Sequence, residues 1–83
     1  MRVQIALFAS LSQYLPEAAD ADRVGAHAQV TDLPGGTTVG QVITTLGLPD
    51  EPRIVFVNGR HAPEEHVLAE GDRLAIFPPV AGG

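Results

Sequence analysis

The chain has no cysteine among its 83 residues. Disulfide frameworks, cysteine-ligated metals and thiol nucleophiles are thereby excluded together. It also has no lysine: all five basic residues are arginine, at positions 2, 23, 53, 60 and 73. Acylation of a side-chain amine within the chain is therefore excluded, and the α-amino group is the one amine left. Basic charge is scarce as well, with 5 basic against 10 acidic residues and a formal net charge of −5. Nucleic-acid binding requires cations to neutralise phosphates, so this balance argues against it; it suits a basic protein partner, or solubility alone. No apolar run approaches the roughly 20 residues that span a bilayer. The opening MRVQIALFAS is interrupted by Gln4 and begins with a single Arg, which does not make a secretory signal. The expectation is a soluble cytoplasmic protein with no membrane association.

What is present is one small domain. Hydrophobic residues make up 45% of the chain, sufficient for a core but leaving little room for an enclosed active site. Val3, Ile5 and Leu7 alternate at the strand period and share one buried face, which puts Phe8 on the other. Leu11, Tyr14 and Leu15 fit one short helical turn stopped by Pro16. Glu17 to Gly25 reads as a solvated acidic loop. A second strand alternates over His27 to Leu33, with Ala28 and Val30 on one side, and LPGG turns the chain.

The period then changes. Val39, Val42, Ile43 and Leu46 form one helical stripe, Thr38 and Gln41 have capping-box spacing, and Gly47 with Pro49 supplies the stop. RIVFVNGRHAP is an apolar strand ending in the Asn58-Gly59 hairpin signal, with a short return strand over Arg60 to Ala62. EGDRLAIF is a turn and a last strand with Leu74 and Ile76 inward and Phe77 off phase, as Phe8 is. One amphipathic helix and about five strands specify an α+β fold, a mixed sheet packed on that helix.

Several constellations carry no chemistry. His27, His61 and His66 lack metal-ligand spacing, so no metal site is expected. Glu64 and Glu65 adjoin without a pocket to make them an acid/base pair. LPGGTT lacks the spacing and the lysine of a phosphate loop.

The end of the sequence is more informative. Pro78 and Pro79 cannot donate backbone hydrogen bonds, so the sheet must release the chain at about Phe77. The expected division is a domain over residues 1–77 and an extended tail over 78–83. Val80 to Gly83 fully stretched reaches on the order of 13 Å, and Gly82 and Gly83 have no Cβ to obstruct passage into a narrow channel. Two terminal glycines arise by chance in roughly one chain in 200, so their weight comes from the strand and double proline before them. Phe8 and Phe77 have two readings, rings tucked at a core edge or an apolar docking surface beside the tail.

GDRLAIFPPVAGG resembles the C-terminal signature of the ubiquitin-like sulfur carriers, which include the small subunit of molybdopterin synthase and the thiazole sulfur carrier. LFASL and VFVNGR are similar to the first of these, and the resemblance covers nearly the whole chain. Its single modest helix is shorter than that of many relatives. The resemblance implies a β-grasp fold with first and last strands adjacent, and it favours the docking reading of Phe8 and Phe77, with Pro78, Pro79, Val80 and Ala81 contacting partners. It implies that an ATP-dependent adenylating enzyme activates the Gly83 carboxylate, next to Gly82, and that a persulfide donor converts it to a thiocarboxylate. ATP belongs to the activating enzyme, and no cofactor is bound by the chain. The larger molybdopterin synthase subunit would receive the loaded tail for molybdenum or tungsten cofactor synthesis, the small chain having no complete active site of its own. A thiazole or other acceptor pathway, a ubiquitin-like protein modifier and a passive interaction module are the alternatives. In the carrier reading, the absence of Cys removes internal thiols that would attack the activated terminus; it also fits a small protein with few cysteines for no special reason.

Overall fold

A computed structural model describes residues 1–79, the Asp20 side chain excepted. Five strands form one mixed sheet: β1 (Arg2–Leu7), β2 (Ala28–Asp32), β3 (Ile54–Val57), β4 (Arg60–His61) and β5 (Arg73–Phe77). Their order is β2-β1-β5-β3-β4. β1 and β5 run parallel, whereas the other neighbours are antiparallel. One helix, α1 (Val39–Leu46), packs on one face, and two 3₁₀ segments, Ala9–Tyr14 and Asp20–Asp22, lie between β1 and β2.

The helix forms where its signals place it. The Thr38 hydroxyl accepts from Gln41 N–H at 3.2 Å and the Gln41 side chain accepts from Thr38 N–H at 2.9 Å, so two end donors are satisfied reciprocally. Gly47 closes the helix at φ 75°, a left-handed conformation that favours glycine. Replacing Thr38 by Ala is expected to cost about 1 kcal/mol of stability in chemical denaturation, from loss of one cap. Val39, Val42 and Ile43 are buried and Leu46 lies at the rim.

These side chains meet the alternate residues of the three central strands. Leu7, Leu74 and Ile76 have no exposed surface, and Val3, Ile5, Val55 and Val57 join them in one core with Leu11, Leu48 and Leu68. Burial of each such side chain favours folding by about 1.5–3 kcal/mol. The apolar run Ile54–Val57 is buried only at alternate positions, because Ile54 and Phe56 lie on the face away from α1. The acidic loop contains the 3₁₀ segment Asp20–Asp22, and the Arg2 guanidinium ties it to β2 by pairing with Asp22 at 2.9 Å and with Asp32 at 3.1 Å.

The β3–β4 turn has φ 54° at Asn58 and 80° at Gly59, the left-handed pair that a two-residue hairpin requires. Asp72 holds this turn from outside. Its carboxylate accepts from Ala69 N–H at 2.8 Å and from Asn58 Nδ2 at 2.9 Å. The backbone bond to Ala69, then the Asn58 bond, holds the acid below the usual carboxylate range. A depressed folded-state pKa stabilises above the unfolded value and stops doing so as pH falls through the folded one. The stability difference between the wild type and Asp72→Ala should therefore be full at neutral pH and shrink as acid is added below about pH 4, measured by urea melts at a series of pH values. Among the described residues, no helix is long and apolar enough to cross a membrane.

Candidate docking surface

The sheet face away from α1 is built by the same alternation that builds the core. With Val3, Ile5 and Leu7 inward, the next step of the chain turns Phe8 outward; with Leu74 and Ile76 inward, Phe77 also faces out. Parallel pairing of β1 with β5 sets Leu7 opposite Ile76, and so brings the two phenyl rings together. They stack with centroids 4.4 Å apart and planes 5° from parallel.

The row continues on both sides. Phe56 meets the edge of Phe77 at 5.9 Å and 85°, and His61 meets Phe56 at 5.1 Å and 78°. On the other flank, His27 lies 5.8 Å from Phe8. His27, Phe8, Phe77, Phe56 and His61 thus cross the sheet in strand order, each from a strand or its immediate extension. Stacked and edge-on aromatic pairs contribute about 0.5–1.5 kcal/mol each beyond burial. The three phenylalanines are half-buried, whereas both histidines are exposed, so the row presents ring surface to solvent. The chain leaves Phe8 through Ala9, whose φ of 52° is costly for a residue with a Cβ, by roughly 1–2 kcal/mol. This turn into the first 3₁₀ segment stores backbone strain directly beside the ring.

Phe8 and Phe77 are the two rings singled out from sequence, and the fold brings them into contact. Phe56 was missed. Its signal was available, since with Val55 and Val57 inward it must face outward, but four consecutive apolar residues show no alternation from which to choose the phase. His27 and His61, set aside as metal ligands, end the row; among the described residues no group of three or more His, Asp or Glu is placed to hold a metal ion.

β5 ends at Phe77, so the aromatic row lies where the chain departs. Pro78 is half-buried against the body and Pro79 is exposed. Val80, Ala81, Gly82 and Gly83 lie outside the described residues. The surface has ring area for docking, and among the described residues it groups no acid, base and nucleophile.

This architecture is that of the ubiquitin-like β-grasp proteins. SAMP1 from Haloferax volcanii superposes with a TM-score of 0.70, 28% identity and full coverage of both chains. A second crystal structure, H. volcanii small archaeal modifier protein 1, gives 0.68 and 27%, over 95% of this chain and 98% of the other. A putative molybdopterin converting factor, subunit 1, from Pyrococcus furiosus gives 0.69 over the same shares at 23% identity, a likeness of fold. The model of the ThiS family matches residues 7–83. From the first outward ring at Phe8 to the last glycine, the chain belongs to the ThiS family of ubiquitin-like sulfur carriers and modifiers.

Proposed function

We propose that this chain is the sulfur-carrying small subunit of a molybdopterin synthase, acting in molybdenum or tungsten cofactor synthesis. The observation that carries the reading is the aromatic row, whose central ring, Phe77, lies on the strand from which the Pro-Pro tail departs. Docking of the row on a partner sets the position of the tail root, and a stiff Pro78-Pro79 segment carries that position outward.

The chemistry follows from the carboxylate. A Gly83 carboxylate oxygen attacks the α-phosphorus of ATP in an adenylating enzyme, and pyrophosphate leaves. A persulfide of the donor attacks the acyl adenylate, AMP leaves and an acyl disulfide forms; a thiol then cleaves its S–S bond, taking the donor's sulfur into a disulfide and releasing the thiocarboxylate. In the larger synthase subunit, that sulfur attacks a carbon of the pterin precursor, forming a C–S bond as a C–O bond of that carbon breaks and its oxygen leaves with the electron pair, and hydrolysis of the resulting thioester leaves sulfur on the pterin and returns the Gly83 carboxylate. The chain supplies the reacting terminus and the docking face, and the partners supply ATP, thiols and the acceptor site. It works in the cytoplasm, where these partners and ATP are found together.

A second reading, modification of proteins through an amide between Gly83 and a target lysine, is favoured by the full-length likeness to SAMP1. Both use the acyl adenylate and differ in the attacking nucleophile. Intact-mass analysis after incubation with ATP, a persulfide source and candidate activating enzymes separates them. Exchange of one oxygen for sulfur at Gly83 supports the carrier, and amide-linked adducts support the modifier. An unchanged mass with an activating enzyme of demonstrated competence rejects both and leaves a passive interaction module.

A further inference from the structure

The sheet face that carries the aromatic row continues beyond the rings. On β5, the alternation that turns Phe77 outward also turns out Ala75 and Arg73. Register sets Ala6 beside both Ala28 and Ala75, and Ala75 beside Phe56. Three methyl groups therefore form a second line across the sheet, with Ala6 at 0% and Ala28 at 7% exposure. A methyl group stands lower on a sheet than a phenyl ring, so this line is the floor of a shallow trough beside the row.

The far side of the trough is polar. Gln4 lies between Val30 and Arg73, and Arg73 is exposed. The root of the Arg73 side chain is fixed on both backbone groups. Its N–H donates to the Asn58 side-chain carbonyl at 3.0 Å, and its C=O accepts from Asn58 N–H at 2.8 Å. Asn58 is itself anchored to Asp72, so the hairpin turn sets where the guanidinium can reach.

Charge on this face is uneven. Strand alternation places two arginines there, Arg2 and Arg73. Arg2 is neutralised by Asp22 and Asp32, whereas Arg73 forms no ion pair with another described residue. Its neighbour Asp72 directs its carboxylate to Ala69 N–H and Asn58 Nδ2 instead. In a chain of formal net charge −5, Arg73 is thus an isolated cation, on the order of 13 Å along the strand from Phe77. A guanidinium grips a carboxylate through two parallel N–H···O bonds, which fixes orientation as well as charge. A partner that covered this face without an acid at that point would leave the guanidinium dehydrated and unpaired, a penalty that discriminates between partners.

We propose that Arg73 is a specificity-determining residue of the docking face and receives a carboxylate of the activating enzyme, whose apolar surface covers the aromatic row and the alanine trough. The inference rests on the reading of the row as a docking surface. The activating enzyme is the partner common to the carrier and modifier readings, so the inference does not depend on the choice between them.

The test is calorimetric titration of the full chain and its variants against the activating enzyme at about 10 mM and about 100 mM salt, where the Debye length is roughly 30 and 10 Å. Arg73→Gln should weaken association about tenfold at the lower salt and by less at the higher, while melting as the wild type does. Arg73→Glu should weaken it further, and Arg73→Lys should retain the salt dependence. Phe77→Asp should lose affinity to the same extent at both salts. Undiminished binding by Arg73→Glu would overturn the inference, and tighter binding would do so by showing a basic group on the enzyme. A loss in Arg73→Gln that is equal at both salts, or that follows a lowered melting temperature, would overturn it by showing a packing role. Loss with Phe77→Asp alone would overturn the role of Arg73 and leave the docking reading standing. If neither variant loses affinity, or if the wild type does not bind the enzyme, both fall together.

Discussion

A chain ending at Gly82 is expected to lose sulfur loading by about 100-fold or more while melting at the temperature of the full-length protein. The carboxylate is still present in such a chain, but it is withdrawn by about 3.5 Å, the reach of one extended residue. Reactions between positioned groups fall on the order of 100-fold for a misplacement near 1 Å, and the remaining chain has no lysine or cysteine to offer in its place. Stability should be insensitive because, among the described residues, the core runs from Val3 to Ile76, and a terminal residue commonly adds little packing. Intact-mass quantification of the thiocarboxylate, paired with calorimetry, reads both quantities. Normal loading of the truncated chain would exclude the tail mechanism. A lowered melting temperature would show that the tail packs on the body, and loading would then need to be compared at equal folded fraction.

The second large effect is expected at the aromatic row. Phe77→Asp should weaken association with the activating enzyme or the larger synthase subunit by about 100-fold, since central aromatic anchors are the residues whose loss costs 2 kcal/mol or more. Phe77 touches Phe8 on one side and Phe56 on the other, so one substitution interrupts the row at its middle. The two lost ring pairs predict a stability cost of about 1–3 kcal/mol. Phe56→Asp removes only the outer phenylalanine and should weaken the same association by less. Calorimetric titration against each partner, with circular dichroism to verify folding, distinguishes docking from packing. If Phe77→Asp unfolds the protein while Phe77→Leu restores fold and full affinity, the ring belongs to the core.

The local features of this protein were legible in its residues. Thr38, Gln41 and Gly47 specify a helix through contacts spanning a few residues, and Asn58-Gly59 specifies a hairpin by backbone preference alone. The alternation of β1 and β5 likewise shows that Phe8 and Phe77 leave the core face. Such signals are readable because cause and effect lie within one turn of chain.

The candidate docking surface depended on contacts between distant segments. Stacking of Phe8 on Phe77 required β1 and β5 to pair in parallel, a choice made by burial across the sheet rather than by either strand. Phe56 joined them only when antiparallel pairing with β5 selected which half of an all-apolar run would face α1. At β2, alternation showed that Ala28 and Val30 share a side. Tertiary packing then turned the other side, Gln29 and Thr31, towards the helix. The sequence by itself determined the elements and the points where they start and stop; the tertiary structure decided which residues share a face, because register and strand order are set by long-range burial that no local pattern encodes.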